Sequence, residues 1–217
     1  MQVSKNLLIN FLFISLFFLL FGEKTIIADE VNEIREMTKK KVEHVINTLK
    51  DKSLSKEDKT DAILKTVEGF FDLVRMAKLS LGKKHWKSLS KDGRKEFSKL
   101  FVEKLKQSYM DKLDLYTDEE VVVDEAKRKK KNRVEVLTYL MGKDEKMEMK
   151  YKLYKSRKKG WMVYDVEVLG VSIVQTYRSQ FSGFLKKGCM DDLMNRLRSL
   201  EDIEVSEVKT ECPTPVP

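Results

Sequence analysis

The spacing of apolar residues changes period twice along this chain, and that change restricts the fold to one class. From residue 29 onward Val31, Ile34, Thr38, Val42, Val45 and Leu49 recur at steps of three and four, the signature of one helical face. Ser55 followed by Asp58 has the form of a capping box. It opens a second helix carrying Ile63, Leu64 and Val67, which Gly69 should interrupt. Leu73, Met76, Ala77 and Leu79 mark a third helical stretch. Ser90 suits the N-cap of a long helix from Lys91 to Leu113, with Phe97, Leu100, Phe101, Leu105 and Tyr109 as its stripe.

From residue 120 the period becomes two. Glu120–Glu125 is a short β-branched run. In Arg133–Met141 the residues Val134, Val136, Thr138 and Leu140 alternate with more polar neighbours. In Lys146–Lys155 the residues Met147, Met149, Tyr151 and Leu153 do the same against lysines and Glu148. Trp161–Val168 places Met162, Tyr164, Val166 and Val168 on one face. The connections expected are Ala126–Asn132, Gly142–Glu145 and Ser156–Gly160, all short and polar, as an antiparallel meander requires. After Gly170 the helical period returns with Val174, Tyr177, Phe181, Phe184 and Leu185, then Leu193, Met194, Leu197 and Leu200. Helices, then strands, then helices predict an α+β domain: a four-stranded antiparallel meander covered on one face by helices.

Lys5 precedes an apolar run from Leu7 to Phe21, broken only by Asn10 and Ser15, and small residues follow at Gly22 and Ala28. Residues 1–28 are therefore expected to be a cleaved signal peptide, with an uncleaved N-terminal anchor as the alternative. Residues 29–202 form a single α+β domain on this reading, and residues 203–217, ending Cys-Pro-Thr-Pro-Val-Pro, form a disordered tail. Removing residues 1–28 takes Lys5, Lys24 and Glu23 from a chain of formal charge +8 and leaves +7. Such a surface suits nucleic acid, anionic lipid or an acidic protein, and export makes nucleic acid the weakest of these.

The sequence offers little chemistry. Cys189 and Cys212 form no Cys-x-x-Cys motif, and His44 and His85 lie far from them, so no metal site is expected. An oxidising compartment permits a Cys189–Cys212 disulfide, and two free thiols fit equally well. Gly170-Val-Ser172-Ile-Val174 lacks the second glycine of a nucleophile elbow, and Gly82-Lys83 lacks the upstream glycine of a phosphate loop. No catalytic residue and no cofactor are expected.

Three segments resemble the MlaC family of periplasmic phospholipid carriers. Phe71-Asp-Leu-Val-Arg75-Met76-Ala77, continuing through Leu81-Gly82 to Trp86, is similar to the first. Phe97 to Phe101 with Tyr109 is similar to the helix that follows. Trp161-Met-Val-Tyr164-Asp165-Val166, Gly170-Val171-Ser172 and Tyr177-Arg178-Ser179-Gln180-Phe181 follow the family's most specific pattern. The resemblance spans about residues 30–200. It implies an NTF2-like cone with a deep apolar cavity between sheet and helices. It further implies a monomer with phospholipid as ligand, shuttling between an outer-membrane lipoprotein–porin complex and an inner-membrane ABC transporter bearing an MCE-domain protein.

Together, the resemblance and the one-sided meander nominate a lipid wall. It comprises Phe70, Phe101, Leu105, Tyr109, Val134, Val136, Thr138, Met147, Met149, Tyr151, Tyr164, Val166, Val174, Tyr177 and Phe181. Met76 and Met162 join Met147 and Met149 as adaptable wall residues. Arg75, Asp165 and Arg178 suit partly buried ion pairs that serve the fold, and Tyr164 and Tyr177 suit strand-to-helix packing. The first and third turns of a meander share one end of the sheet, which makes that end lysine-rich. Lys129, Lys130, Lys158 and Lys159 are its candidate docking residues. The alternative function is an exported NTF2-like interaction module with a filled core and no lipid.

Overall fold

The computed structural model describes residues 29–113, 120–142, 146–201 and 203. The expected signal peptide, and the expected tail apart from Ile203, lie outside them.

Helix α1 spans residues 29–50, and α2 spans Lys56–Phe70. Ser55 caps α2 as expected: the Asp58 amide donates to its hydroxyl at 3.1 Å. Gly69 does not end that helix: the backbone remains helical through Phe70. Phe71 then bridges Val163 at the edge of the sheet. Helices α3 (Leu73–Leu81), α4 (Lys83–Ser88) and α5 (Lys91–Leu113) follow. Ser90 receives the Gly93 amide at 3.0 Å, the cap expected for α5. No helix among the described residues is long and apolar enough to cross a membrane.

The strands are β1 (Glu120–Lys130), β2 (Arg133–Met141), β3 (Lys146–Ser156), β4 (Gly160–Val168) and β5 (Val171–Ser172). They pair antiparallel in the order β1-β2-β3-β4-β5. The meander therefore has a short fifth strand beyond the four expected. Most of the expected loop Ala126–Asn132 is strand, since β1 runs on to Lys130 and turns at residues 131–132. Helices α6 (Ile173–Phe184) and α7 (Met190–Arg198) complete the chain. Ile203, at the start of the expected tail, is buried against the helical core.

One expectation about the sheet fails at a bulge. β3 and β4 pair Lys152 with Asp165 but Leu153 with Val163, leaving Tyr164 as the extra residue. An inserted residue shifts the alternation by one. Val163, Val166 and Val168 consequently share the helix-facing side, whereas Met162 and Tyr164 face the other way. On that outer side the Tyr164 ring meets Tyr154 at 6.0 Å, and Arg75 and Arg133 lie over the two rings at 3.9 and 4.3 Å. Arg75 therefore serves the fold by cation–π stacking rather than by the ion pair expected. Asp165, 4% exposed, does form one, 3.2 Å from Lys152. It also accepts the Ser172 hydroxyl at 2.7 Å and the Val174 amide at 3.1 Å, tying β4 to the start of α6.

The apolar interior is divided. Phe97, Phe101, Phe181, Phe184, Leu193 and Leu197 form a core among α3 to α7. Ile34 and Phe70 pack with Val123, Val134, Val136, Leu153 and Val163 into a second core between α1, α2 and the sheet. The beginning of α1 is fixed by Glu30, whose carboxylate meets Arg128 and Lys155 at 2.6 Å each and Trp161 Nε1 at 3.3 Å. The Lys155 and Arg128 bonds hold the Glu30 pKa at about 2. A carboxyl whose folded pKa is depressed stabilises the fold above its unfolded value, near 4.5, and loses that contribution as pH falls toward 2. Glu30→Gln is thus expected to lower stability at pH 6, with the difference from wild type shrinking steadily below pH 4.5 and closing as pH falls through 2. Urea unfolding across that range measures the difference.

Candidate functional site

The apolar face of the sheet is longer than its helices fill. At the end bearing the turns 131–132 and 157–159, Val134, Val136, Leu153 and Val163 are essentially inaccessible beneath Ile34. At the other end a cavity of about 490 Å³ remains. Its sheet wall is Val121, Thr138, Leu140, Met147, Met149, Tyr151, Val166 and Val168, all from the half next to Met141 and Lys146. Its helical wall comes from the later parts of α1, α2 and α5: Val42, Val45, Ile46 and Leu49, then Ile63, Leu64, Val67 and Phe70, then Val102, Leu105 and Tyr109. Phe71, Leu73, Met76 and Ile173 close the side toward the helical core. The volume falls within the ~300–1,000 Å³ typical of small-molecule sites.

Among the described residues, the ionisable lining groups besides the tyrosines are Lys41, Glu68 and Lys106. Lys106 pairs with Glu103 at 3.1 Å. Burial pushes the Tyr151 phenol up to about 12, so it stays neutral at any working pH. Burial also raises Tyr109, whose side chain is 39% exposed at the cavity edge. The Thr138 hydroxyl donates to the Met149 carbonyl at 3.3 Å and so presents little polarity inward. Most of the lining positions are only half-buried, because they face empty space instead of other side chains. Among the described residues no group of three or more His, Cys, Asp or Glu side chains is placed to hold a metal ion. This wall offers apolar contact and little else.

The scan against protein-family models matches MlaC protein over residues 39–199. The chain belongs to the MlaC family. Among solved structures, this MlaC-family chain is similar to the phospholipid-binding protein of Ralstonia solanacearum in complex with a phospholipid. The identity is 21%, the match covers 76% of this chain and 95% of that one, and the TM-score is 0.69. That likeness establishes a shared mixed α+β fold, an antiparallel sheet covered by helices. None of the curated proteins compared matches the chain.

Phe70, Leu105, Tyr109, Thr138, Met147, Met149, Tyr151 and Val166, all nominated from sequence, line the cavity. Phe101, Val174, Tyr177 and Phe181 do not; they pack among themselves and with Phe97 inside the helical core. The stripe read on α5 is really two faces, Phe97 and Phe101 toward α6 and α7, Leu105 and Tyr109 toward the cavity. Tyr177 also meets Ser108 Oγ at 3.1 Å, joining α6 to α5 rather than a strand to a helix. Arg178 donates to the Leu79 carbonyl at 3.1 Å rather than to a carboxylate. Val134 and Val136 face the right side of the sheet at its filled end. Tyr164 and Met162 are turned outward by the bulge.

Sequence reading missed the α1–α2 wall apart from Phe70. Val42, Val45, Leu49, Leu64 and Val67 were visible as stripes, yet a stripe that packs and a stripe that borders a void have the same period. Cys189 donates to Asp192 Oδ2 at 3.0 Å; Cys212 lies outside the described residues, as do residues 143–145 of the expected second turn.

This division predicts opposite outcomes for two substitutions. Val136→Glu buries a carboxylate in packed core and is expected to cost several kcal/mol, a large part of a total stability of about 5–15 kcal/mol. Met149→Glu points into the cavity and is expected to cost under about 2 kcal/mol. Paired urea unfolding curves measure both.

Proposed function

We propose that this protein is a periplasmic phospholipid carrier that moves lipid between the outer and inner membranes, and that it catalyses no reaction. The observation that carries the reading is an almost wholly apolar cavity in an MlaC-family fold. The related Ralstonia protein, which has the same fold, binds a phospholipid. Two acyl chains hold about 30 methylene-type groups, and exposing them to water costs roughly 25 kcal/mol at ~0.8 kcal/mol each. Lipid crosses an aqueous gap only inside a shield, and the shield needs apolar area rather than acids or bases. The eight nominated residues that line the cavity, with the α1–α2 wall, form the acyl site of an NTF2-like cone. Residues 1–28 serve as the signal peptide, removed after export. The partners are an inner-membrane MCE-domain ABC transporter and an outer-membrane lipoprotein–porin complex.

The test is native mass spectrometry of protein taken from its own periplasm. About one diacyl phospholipid per chain is expected. Met149→Glu should stay folded and lose most of that lipid; a stable wild-type protein without lipid would overturn the reading in favour of an interaction module.

Lys129, Lys130, Lys158 and Lys159 are all exposed at the filled end of the sheet. Lys129 approaches Glu135 at 3.6 Å, too loosely and too near solvent to be neutralised by it. These lysines draw the carrier toward anionic surfaces and raise encounter rates more than affinity. Reversing all four charges is expected to slow association with anionic vesicles at low salt, to leave bound lipid in place, and to make little difference at high salt. Stopped-flow association across a salt series measures this.

A further inference from the structure

The cavity and the lysines occupy opposite ends of the sheet, so the end that attracts anionic surfaces is not the end that holds the cavity. The cavity end bears an exposed apolar turn. The β4–β5 turn exposes Leu169 by 63% and Val171 by 61%, the two most exposed large apolar residues among those described. Its neighbours in sequence, Val168 and Ile173, both line the cavity. Val171 pairs with Val168 across the two strands and so lies on the cavity face of the sheet. The Leu169 amide donates to the Glu148 carbonyl at 2.9 Å, which fixes the turn beside Met147 and Met149 of the cavity wall.

The turn also has a defined backbone conformation. Leu169 has φ +49° and Gly170 φ +80°. A leucine held in the left-handed region is uncommon and is maintained only by surrounding structure. Here Asp165 supplies it, through the Ser172 hydroxyl and the Val174 amide just beyond the turn. Positive φ at both central residues is what a two-residue hairpin between β4 and β5 requires, but the exposure of the Leu169 and Val171 side chains adds little to that turn.

We infer that the Leu169–Gly170–Val171 turn is a preorganised knob that seats the cavity end of the sheet in an apolar pocket on the protein that accepts its lipid. The inference rests on the carrier reading. A protein surface is favoured over a bilayer on electrostatic grounds. An anionic bilayer draws the basic end and leaves the cavity end facing away. A small rigid aliphatic projection is also what a complementary pocket recognises, because no side-chain or loop ordering is needed on docking.

The experiment uses Leu169→Asn with Val171→Thr in the full chain. Asparagine tolerates the left-handed backbone and threonine keeps the branched strand side chain, so fold and cavity are retained. Both proteins are loaded with a fluorescent phospholipid. Transfer is followed to inverted and right-side-out envelope vesicles retaining their membrane proteins, and to protein-free vesicles of the extracted lipids. The double variant is expected to match wild type in lipid content and in transfer to protein-free vesicles. Transfer to the protein-bearing vesicles is expected to fall by roughly tenfold or more, the scale of a lost hot spot. Equal rates with the protein-bearing vesicles would overturn the knob, and equal losses with both vesicle types would assign it to the bilayer instead. Wild-type protein that takes up no fluorescent lipid would overturn the carrier reading itself, a result separate from either of these.

Discussion

The packing of α1 against one end of the sheet sets the rest of the molecule. Glu30 is held between Arg128 and Lys155, and one turn later Ile34 presses on Val136, Leu153 and Val163. With its start fixed there, α1 runs along the sheet, and much of its second half borders the cavity. Val42, Val45, Ile46 and Leu49 face it. One filled end supplies the stability of this layer, and it leaves the other end able to remain open. Leaving such a space empty has a cost, since lining atoms lose dispersion partners on one side. Placing α3 to α7 in an aromatic core of their own offsets it.

The bulge at Tyr164 plays a second organising part. It turns Val163 inward to the filled end and sends Tyr164 outward to Tyr154, Arg75 and Arg133. The outer face is thereby covered by edge-to-face tyrosine rings and guanidinium groups, and Asp72 reinforces it by accepting the Tyr154 hydroxyl. Next to the bulge, Asp165 joins sheet to α6 and holds the β4–β5 turn. The family motif running from Trp161 to Phe181 is, in physical terms, mainly a joint. Its Tyr, Asp, Ser and Arg side chains connect elements, whereas the cavity takes only Val166, Val168 and Ile173 from it.

Charge is distributed with the same separation. The lysines of the two hairpin turns sit at the filled end, and the cavity wall is nearly free of ions, with a neutral Tyr151 at its centre. A lipid can therefore slide along the wall without meeting a group that holds it in one pose, which suits a site that must both load and release.

The sequence alone determined the fold class, because helical and strand periods are local and each was unmistakable over its own stretch. It also determined the absence of a catalytic motif, and the motif segments that place the chain in its family. Part of the wall was legible as well: Met147, Met149 and Tyr151 alternate on one strand and Thr138 lies on its neighbour, and the inward side of each follows from pattern. Only the tertiary structure decided which inward residues touch a cavity and which touch one another. Val136 and Thr138 are two residues apart with the same orientation, yet one is sealed beneath Ile34 and the other borders open space. Phe101 and Leu105 share a helical stripe and divide between core and wall in the same way. Periodicity specifies a direction for each side chain, whereas occupancy of the space it points into depends on how far a helix anchored elsewhere stands from the sheet, and no local pattern encodes that distance.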